Sequence, residues 1–183
     1  MRRIPLSHRS HIIGFQSLGT GQAEHESALE RDFVTLTSFA DVHASLLSQP
    51  VTLWYAFDGK LRRYTPDYLV RRKVVRSEFV EVKYQSDLDA NADRLKPAFA
   101  AAGQWAMANR CVFRVATEHD IRLPLLANAK RLLPLRERSV VPTAREKILA
   151  VVAAEGAPTF GEVLSELSGN RSLYVATVWR LLA

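Results

Sequence analysis

The chain has 183 residues, 48% hydrophobic and 24% charged, with a formal net charge of +6. That length suits one domain, or one domain with a small appendage, and the composition excludes a disordered or fibrous chain. No stretch approaches the ~20 apolar residues of a bilayer span, and Ile4-Pro5-Leu6-Ser7-His8-Arg9 is not an apolar signal core. A single cysteine, Cys111, excludes an internal disulfide framework and a Cys-based zinc site, and a cytoplasmic setting is expected.

Residues 1–24 carry Arg2, Arg3 and Arg9 with Gly14, Gly19 and Gly21 and show no periodicity, which predicts a basic N-terminal arm, irregular unless a partner orders it. Leu29, Phe33 and Leu36 then fall on one helical face, predicting a helix from Glu24 to about Ser38. Val51 to Phe57 reads as a strand, Asp58-Gly59 as a hairpin turn, and Leu61 to Arg72 as the returning strand. Phe79 to Tyr84 is a third strand. An Ala-rich helix is expected from about Ala90 to Ala108, starting or kinking at Pro97. Cys111 to Ala116 is a fourth strand, and Leu125 to Leu133 a short helix.

This order predicts an α/β domain over residues 25–134 and a linker over 135–142, punctuated by Pro134 and Pro142. Residues 143–183 read as three short helices capped by Thr143, Thr159 and Ser172, an all-α outline like a helix-turn-helix. They hold four basic and four acidic residues, whereas residues 124–142 hold four and one. The last helix, Ser172 to Leu182, offers only Arg180, Thr177 and Tyr174 as polar contacts and is a poor DNA reader. Its apolar residues, with Trp179 and Tyr174, point to a protein contact or to internal packing.

The chemistry concentrates in Tyr64-Thr65-Pro66-Asp67-Tyr68 and Phe79-Val80-Glu81-Val82-Lys83. Glu81 and Lys83 share a face of their strand by alternation. If the Asp67 strand pairs with it, Asp67 and Glu81 can share one Mg²⁺, a cation that takes hard oxygen ligands, with Mn²⁺ as substitute. Lys83 then orients the attacking water or neutralises phosphate charge. Glu30, on the first helix, can reach the same cluster and hold a second ion; Glu26 lies on the same helical face and is its rival. An isolated Glu-x-Lys is usually a solvated pair, but Phe79, Val80, Val82 and Tyr84 surround this one, and charge among them is costly unless paired or coordinating. Lys60, Arg62, Arg63, Arg71, Arg72, Lys73 and Arg76 flank Asp67, the only acid between Gly59 and Arg76. Such a run suits an anionic backbone, although a hairpin edge kept soluble by basic residues gives the same pattern. His8, His11, His25, His43 and His119 show no metal-ligand spacing, and His25, beside the helix that carries Glu30, reads as solvated. Cys111, Trp54 and Trp105 read as core.

Glu26-Ser27-Ala28-Leu29-Glu30-Arg31-Asp32-Phe33, Arg63-Tyr64-Thr65-Pro66-Asp67-Tyr68-Leu69-Val70 and Val80-Glu81-Val82-Lys83 together resemble the TnsA family of the PD-(D/E)XK nuclease superfamily. The likeness covers residues 9–134 well and 143–183 loosely. It implies a restriction-endonuclease-like mixed sheet flanked by helices, with Glu30, Asp67, Glu81 and Lys83 as the active site. Asp67, Glu81, Glu30 and the Val82 backbone carbonyl would be the metal ligands, and Arg62, Arg63, Arg71, Arg72, Lys73 and Arg76 the DNA contacts. Some members carry Gln where this chain has Glu81. The resemblance further implies an endonuclease subunit of a heteromeric transposase that cuts the 5′ ends of a transposable element. A DDE-type transposase subunit and an AAA+ regulator ATPase would be its partners. A stand-alone repair or defence nuclease with the same site and a non-catalytic helix-turn-helix regulator are the competing readings.

Overall fold

The computed structural model describes residues 14–18 and 21–183, with side chains from Glu24 onward. Residues 1–13, including Arg2, Arg3, Arg9, His8 and His11 of the expected arm, lie outside the described residues. Compactness divides the chain into two units, with the division between Ala127 and Asn128. The partition into 25–134, 135–142 and 143–183 is a proposal about which segments fold independently.

The first unit opens with β1 (Gly14–Leu18) and β2 (Gly21–His25), paired antiparallel where the glycines had suggested an irregular arm. Ladder bonds join backbone to backbone, so glycine-rich strands can pair without an alternating apolar signal. α1 (Ala28–Ala40) starts later than expected, because the Ser27 side chain caps it by accepting the Glu30 N–H. A short β3 (Ser45–Ser48) follows that the sequence did not suggest. β4 (Leu53–Phe57) and β5 (Lys60–Tyr64) form a hairpin through Asp58 and Gly59, both at positive φ.

The returning strand does not run on to Arg72 as expected. It breaks at Thr65–Asp67 and resumes as β6 (Tyr68–Arg71) in a different sheet. Pro66 has no N–H to give to a ladder, so the chain leaves the hairpin there and enters the main sheet. β7 (Glu78–Val82) then leads to α2 (Gln85–Ala90) and α3 (Ala92–Ala108). α3 passes through Pro97 instead of starting there. β8 (Val112–Ala116) and α4 (Glu118–Ile121) follow, the latter closed by a Thr117/Asp120 capping box. α5 (Pro124–Leu132) contains the division between the units.

The main sheet has the order β3-β6-β7-β8. Its first two pairings are antiparallel and β7–β8 is parallel, so it is a mixed sheet. Strand alternation sends Tyr68, Val70, Val80 and Val82 to one face, against Leu29 and Phe33 of α1. Leu69 and Phe79 point to the other, against Ala102 and Ala106 of α3. Helices therefore flank the sheet on both faces, the restriction-endonuclease-like arrangement. Trp105 stacks on Phe79 at 4.5 Å between ring centroids, as a core residue should, and Cys111 is half-buried beside this cluster. Trp54, expected in the core, is 63% exposed because the β4–β5 hairpin belongs to neither face of the main sheet.

In the second unit a 3₁₀ turn (Leu133–Leu135) precedes α6 (Pro142–Glu155), α7 (Phe160–Ser165) and α8 (Arg171–Leu181). Thr143 does not cap α6. Pro142, with its fixed φ and missing N–H, already occupies the first turn. The Thr159/Glu162 capping box forms as expected, whereas α8 is capped by Asn170 and not by Ser172. Ala144, Ile148, Val163, Leu164, Tyr174 and Val178 make a small core, and Trp179 and Leu182 stay exposed.

Candidate active site

The break at Pro66 sets the site. β6 pairs with β7 as Tyr68↔Val80, so the next rung places Asp67, just ahead of β6, opposite Glu81. Asp67 Oδ2 accepts the Val82 N–H at 2.7 Å, and its own carbonyl accepts the Gln49 N–H at 2.7 Å. The sequence placed Asp67 and Glu81 on neighbouring strands, and the register makes them neighbours in space.

Glu81 is 5% exposed. Its Oε1 lies 3.0 Å from Lys83 Nζ, the same-face pairing that alternation predicts. Its Oε2 accepts the Tyr64 hydroxyl at 2.6 Å. Burial works against the Lys83 ammonium, but Glu81, with Asp67 and Asp87, outweighs it and holds the Lys83 pKa above its usual value. Asp67 goes the other way. Burial, then Glu81, then Glu30 push its carboxyl well above the ordinary carboxylate range, while the Val82 N–H and Lys83 oppose the rise. Negative charge is thus gathered at this end of the sheet beyond what one lysine neutralises.

Glu30 approaches from α1. Its Oε2 takes the Glu26 N–H at 2.9 Å and the Tyr68 hydroxyl at 3.4 Å, and its Oε1 takes the Ser27 hydroxyl at 2.9 Å. Burial raises its pKa, offset in part by the Glu26 N–H and Ser27. Its carboxylate therefore has two engagements, the helix N-terminus and the Asp67 cluster. Glu26 is exposed, and its Oε1 accepts from Gln49 Nε2 at 3.0 Å. Glu30 is among the groups that raise the Asp67 pKa, after burial and Glu81.

Tyr64 and Tyr68 are the site residues that the sequence did not single out. Burial and the nearby carboxylates hold both phenols protonated, so each donates: Tyr64 to Glu81, and Tyr68 to the Glu24 carbonyl at 2.7 Å, with Glu30 Oε2 a longer 3.4 Å away. The available signal was their position, one on each side of Thr65-Pro66-Asp67. His25 proves buried instead of solvated.

The basic residues separate into two groups. Lys60, Arg62 and Arg63 lie on exposed β5, which runs straight into the site. Arg71, Arg72, Lys73 and Arg76 lie at the opposite end of β6, a strand's length from Asp67. Arg72 is held there by Asp41 at 3.2 Å and Glu78 at 3.4 Å.

The donor set fits a hard divalent cation. Two opposed carboxylates and the Val82 carbonyl offer oxygen donors, and the burial and carboxylate repulsion that raise the Asp67 pKa are what such an ion would offset. Among the described residues no group of three or more His, Cys, Asp or Glu side chains is set to hold a metal. An ion here would rest on Asp67, Glu81, backbone and water. Glu30 joins it only by leaving its present donors.

No curated protein matches the chain. Residues 44–118, from the start of β3 through β8, match the family model for the TnsA-like endonuclease N-terminal domain. That span includes Asp67, Glu81 and Lys83 and excludes Glu30. The chain carries a TnsA-like endonuclease domain.

Proposed function

We propose that this protein is a Mg²⁺-dependent DNA endonuclease that serves as the 5′-end-cutting subunit of a heteromeric transposase, with Mn²⁺ as a substitute ion. The observation that carries the nuclease chemistry is the pairing of Asp67 with Glu81 and Lys83 at one sheet end, inside the matched domain. When bound by Asp67, Glu81 and the Val82 carbonyl, the ion supplies Lewis acidity toward the phosphate and its attacking water. The protein's own groups do the rest. Lys83, kept charged by Glu81, donates hydrogen bonds to the water or to a non-bridging phosphate oxygen, and its raised pKa makes it a poor base. Tyr64 fixes the Glu81 carboxylate through its hydroxyl. Hydrolysis leaves a 5′-phosphate and a 3′-hydroxyl.

The family supports DNA as substrate and a transposase as partner. A DDE-type transposase that cuts and joins the 3′ ends, together with an AAA+ regulator, completes the reading. Residues 143–183 are the segment we assign to the protein contact, because they carry no charge excess and leave Trp179 and Leu182 exposed. Among the described residues no helix is long and apolar enough to cross a membrane. The test is cleavage of labelled element ends in Mg²⁺, Mn²⁺ and EDTA, with and without the transposase. Cutting at the 5′ ends that needs the metal supports the reading. Metal-independent cutting, or none under any condition, overturns it.

A further inference from the structure

The β4–β5 hairpin is a sheet of its own: neither strand pairs with any other among the described residues. A lone two-stranded ribbon is marginally stable in water and needs an anchor. The anchor is at its base, where Leu53 and Tyr64 join the cluster of Phe79 and Ala102, and Tyr64 meets Phe99 edge-on at 6.0 Å. Beyond the base the ribbon is open to solvent. Phe57 and Leu61 are exposed, and so are Lys60, Arg62 and Arg63, three cations against Asp58 alone. A hairpin kept basic only for solubility has no use for exposed Trp54, Phe57 and Leu61.

Cross-strand pairing sorts these residues by face. Tyr64 pairs with Leu53, Arg62 with Tyr55 and Lys60 with Phe57 on one face, while Arg63 pairs with Trp54 and Leu61 with Ala56 on the other. Tyr64 donates to Glu81, so the first face is the one continuous with the catalytic carboxylates. Arg62 lies two residues out along it and Lys60 four, about 7 and 14 Å from Tyr64. Arg62 is held over the Phe57 ring at 5.5 Å, which steadies its guanidinium. At roughly 3.4 Å per base pair, those steps are about two and four base pairs of duplex. Only the major groove of undistorted B-DNA is wide enough for a two-stranded ribbon.

We propose that the β4–β5 ribbon enters the major groove of duplex DNA beside the cleaved phosphate, with Arg62 and Lys60 as its contacts. The proposal rests on the nuclease reading above. Arg62 and Arg63 provide an internal comparison, since they are adjacent, equally charged and both exposed, and differ in face and in the Phe57 contact of Arg62.

The experiment measures binding of the full chain to a labelled duplex by anisotropy in EDTA over a salt series, for the parent, Arg62→Ala and Arg63→Ala. Circular dichroism melts confirm that both variants fold. Arg62→Ala should lose about tenfold in affinity and lower the salt slope by about one, while Arg63→Ala loses less than about threefold. Protection of guanine N7 from methylation about two to four base pairs from the cut should disappear in Lys60→Ala/Arg62→Ala. Equal losses from the two arginines, or protection that persists in the double variant, overturn the ribbon assignment. So does Arg62→Ala binding DNA like the parent while losing the transposase partner. The nuclease reading is judged apart, on whether the parent cuts the duplex in Mg²⁺. A parent that cuts, with variants that show no difference, removes the ribbon and leaves that reading standing.

Discussion

The two ends of the β6–β7 pair hold charge in opposite ways. At the far end Arg72 bridges Asp41 and Glu78, and Arg114 Nε lies 3.5 Å from Glu78, so each of these acids has a basic partner. At the near end Asp67, Glu81 and Glu30 converge with Lys83 bound to only one of them, and burial together with the other two carboxylates raises the Asp67 pKa. Matched charge holds the chain in place. Charge left unmatched at some cost to folding marks where a ligand is meant to complete the balance.

The largest expected effect comes from removing that imbalance. Asp67→Asn should slow cleavage by at least about a thousandfold, since metal-assisted steps rest on several kcal/mol of charge stabilisation. The same change should stabilise the metal-free protein, because the amide oxygen can still accept the Val82 N–H. The sign follows from a carboxyl whose folded pKa lies above its unfolded value of about 3.9. Its contribution to stability is complete below that value and declines as pH rises through the folded pKa. In EDTA, melts across a pH series should therefore show parent and variant alike in acid, with the variant higher at neutral pH. Mg²⁺ should raise the parent's melting temperature and leave the variant's unchanged. A variant no more stable than the parent at neutral pH would mean that the near end is not strained.

Tyr64→Phe probes how the unmatched charge is held. The ring stays against Phe99, but the hydroxyl that Glu81 accepts is gone. Losing such an outer contact typically costs 10–100-fold in metal affinity or activity, and cleavage should fall within that range, with a higher Mg²⁺ requirement and a parental melt. Unchanged metal dependence would make Tyr64 a packing residue.

Glu30 belongs to both kinds of charge, because it caps α1 and also bears on Asp67. Glu30→Gln keeps an acceptor for the helix end and discards the charge. It should cut about tenfold more slowly, the lower end of the range for a group that acts through a metal ligand, with a neutral-pH melting temperature no lower than the parent's because burial raises the Glu30 pKa. Glu30→Ala should lose the cap as well, about 1 kcal/mol of stability. Glu26→Ala, which releases Gln49, should matter less to cleavage than either. If Glu30→Gln cuts like the parent, Glu30 is only a cap.

Periodicity showed which residues share a face, and that was enough for the α1 helix and the Glu81–Lys83 pair, while the capping-box spacing of Thr159 and Glu162 showed that cap. It did not show which ends of strands meet. The basic residues on both sides of Asp67 look like a single patch in one dimension. The break at Pro66 and the β6–β7 register send Lys60–Arg63 and Arg71–Arg76 to different ends. β3 leaves little signal because Ser-Leu-Leu-Ser is short, and its place beside β6 is fixed by a pairing twenty or more residues away. Trp54 reads as core because residue type alone does not show that its hairpin stands apart from the main sheet.

The smallest effect is expected at the far end. Arg72→Ala leaves Asp41 without its partner and Glu78 with only Arg114. The groups are partly exposed, and water and salt replace much of what is lost. The Asp41 carboxyl is held below its usual pKa first by the His43 N–H and only then by Arg72, so most of its stabilisation survives the change. The melting temperature should fall by a few degrees at most, and less at high salt. Arg72→Lys should recover only part of that, because an ammonium does not span two carboxylates as a planar guanidinium does. Cleavage and duplex affinity should stay parental, since every charge this variant disturbs lies at the far end of β6 from Asp67. A tenfold loss of DNA affinity at an unchanged melting temperature would show that Arg72 faces substrate after all. The two ends would then form one continuous binding surface, and the contrast between matched and unmatched charge would no longer separate structure from function.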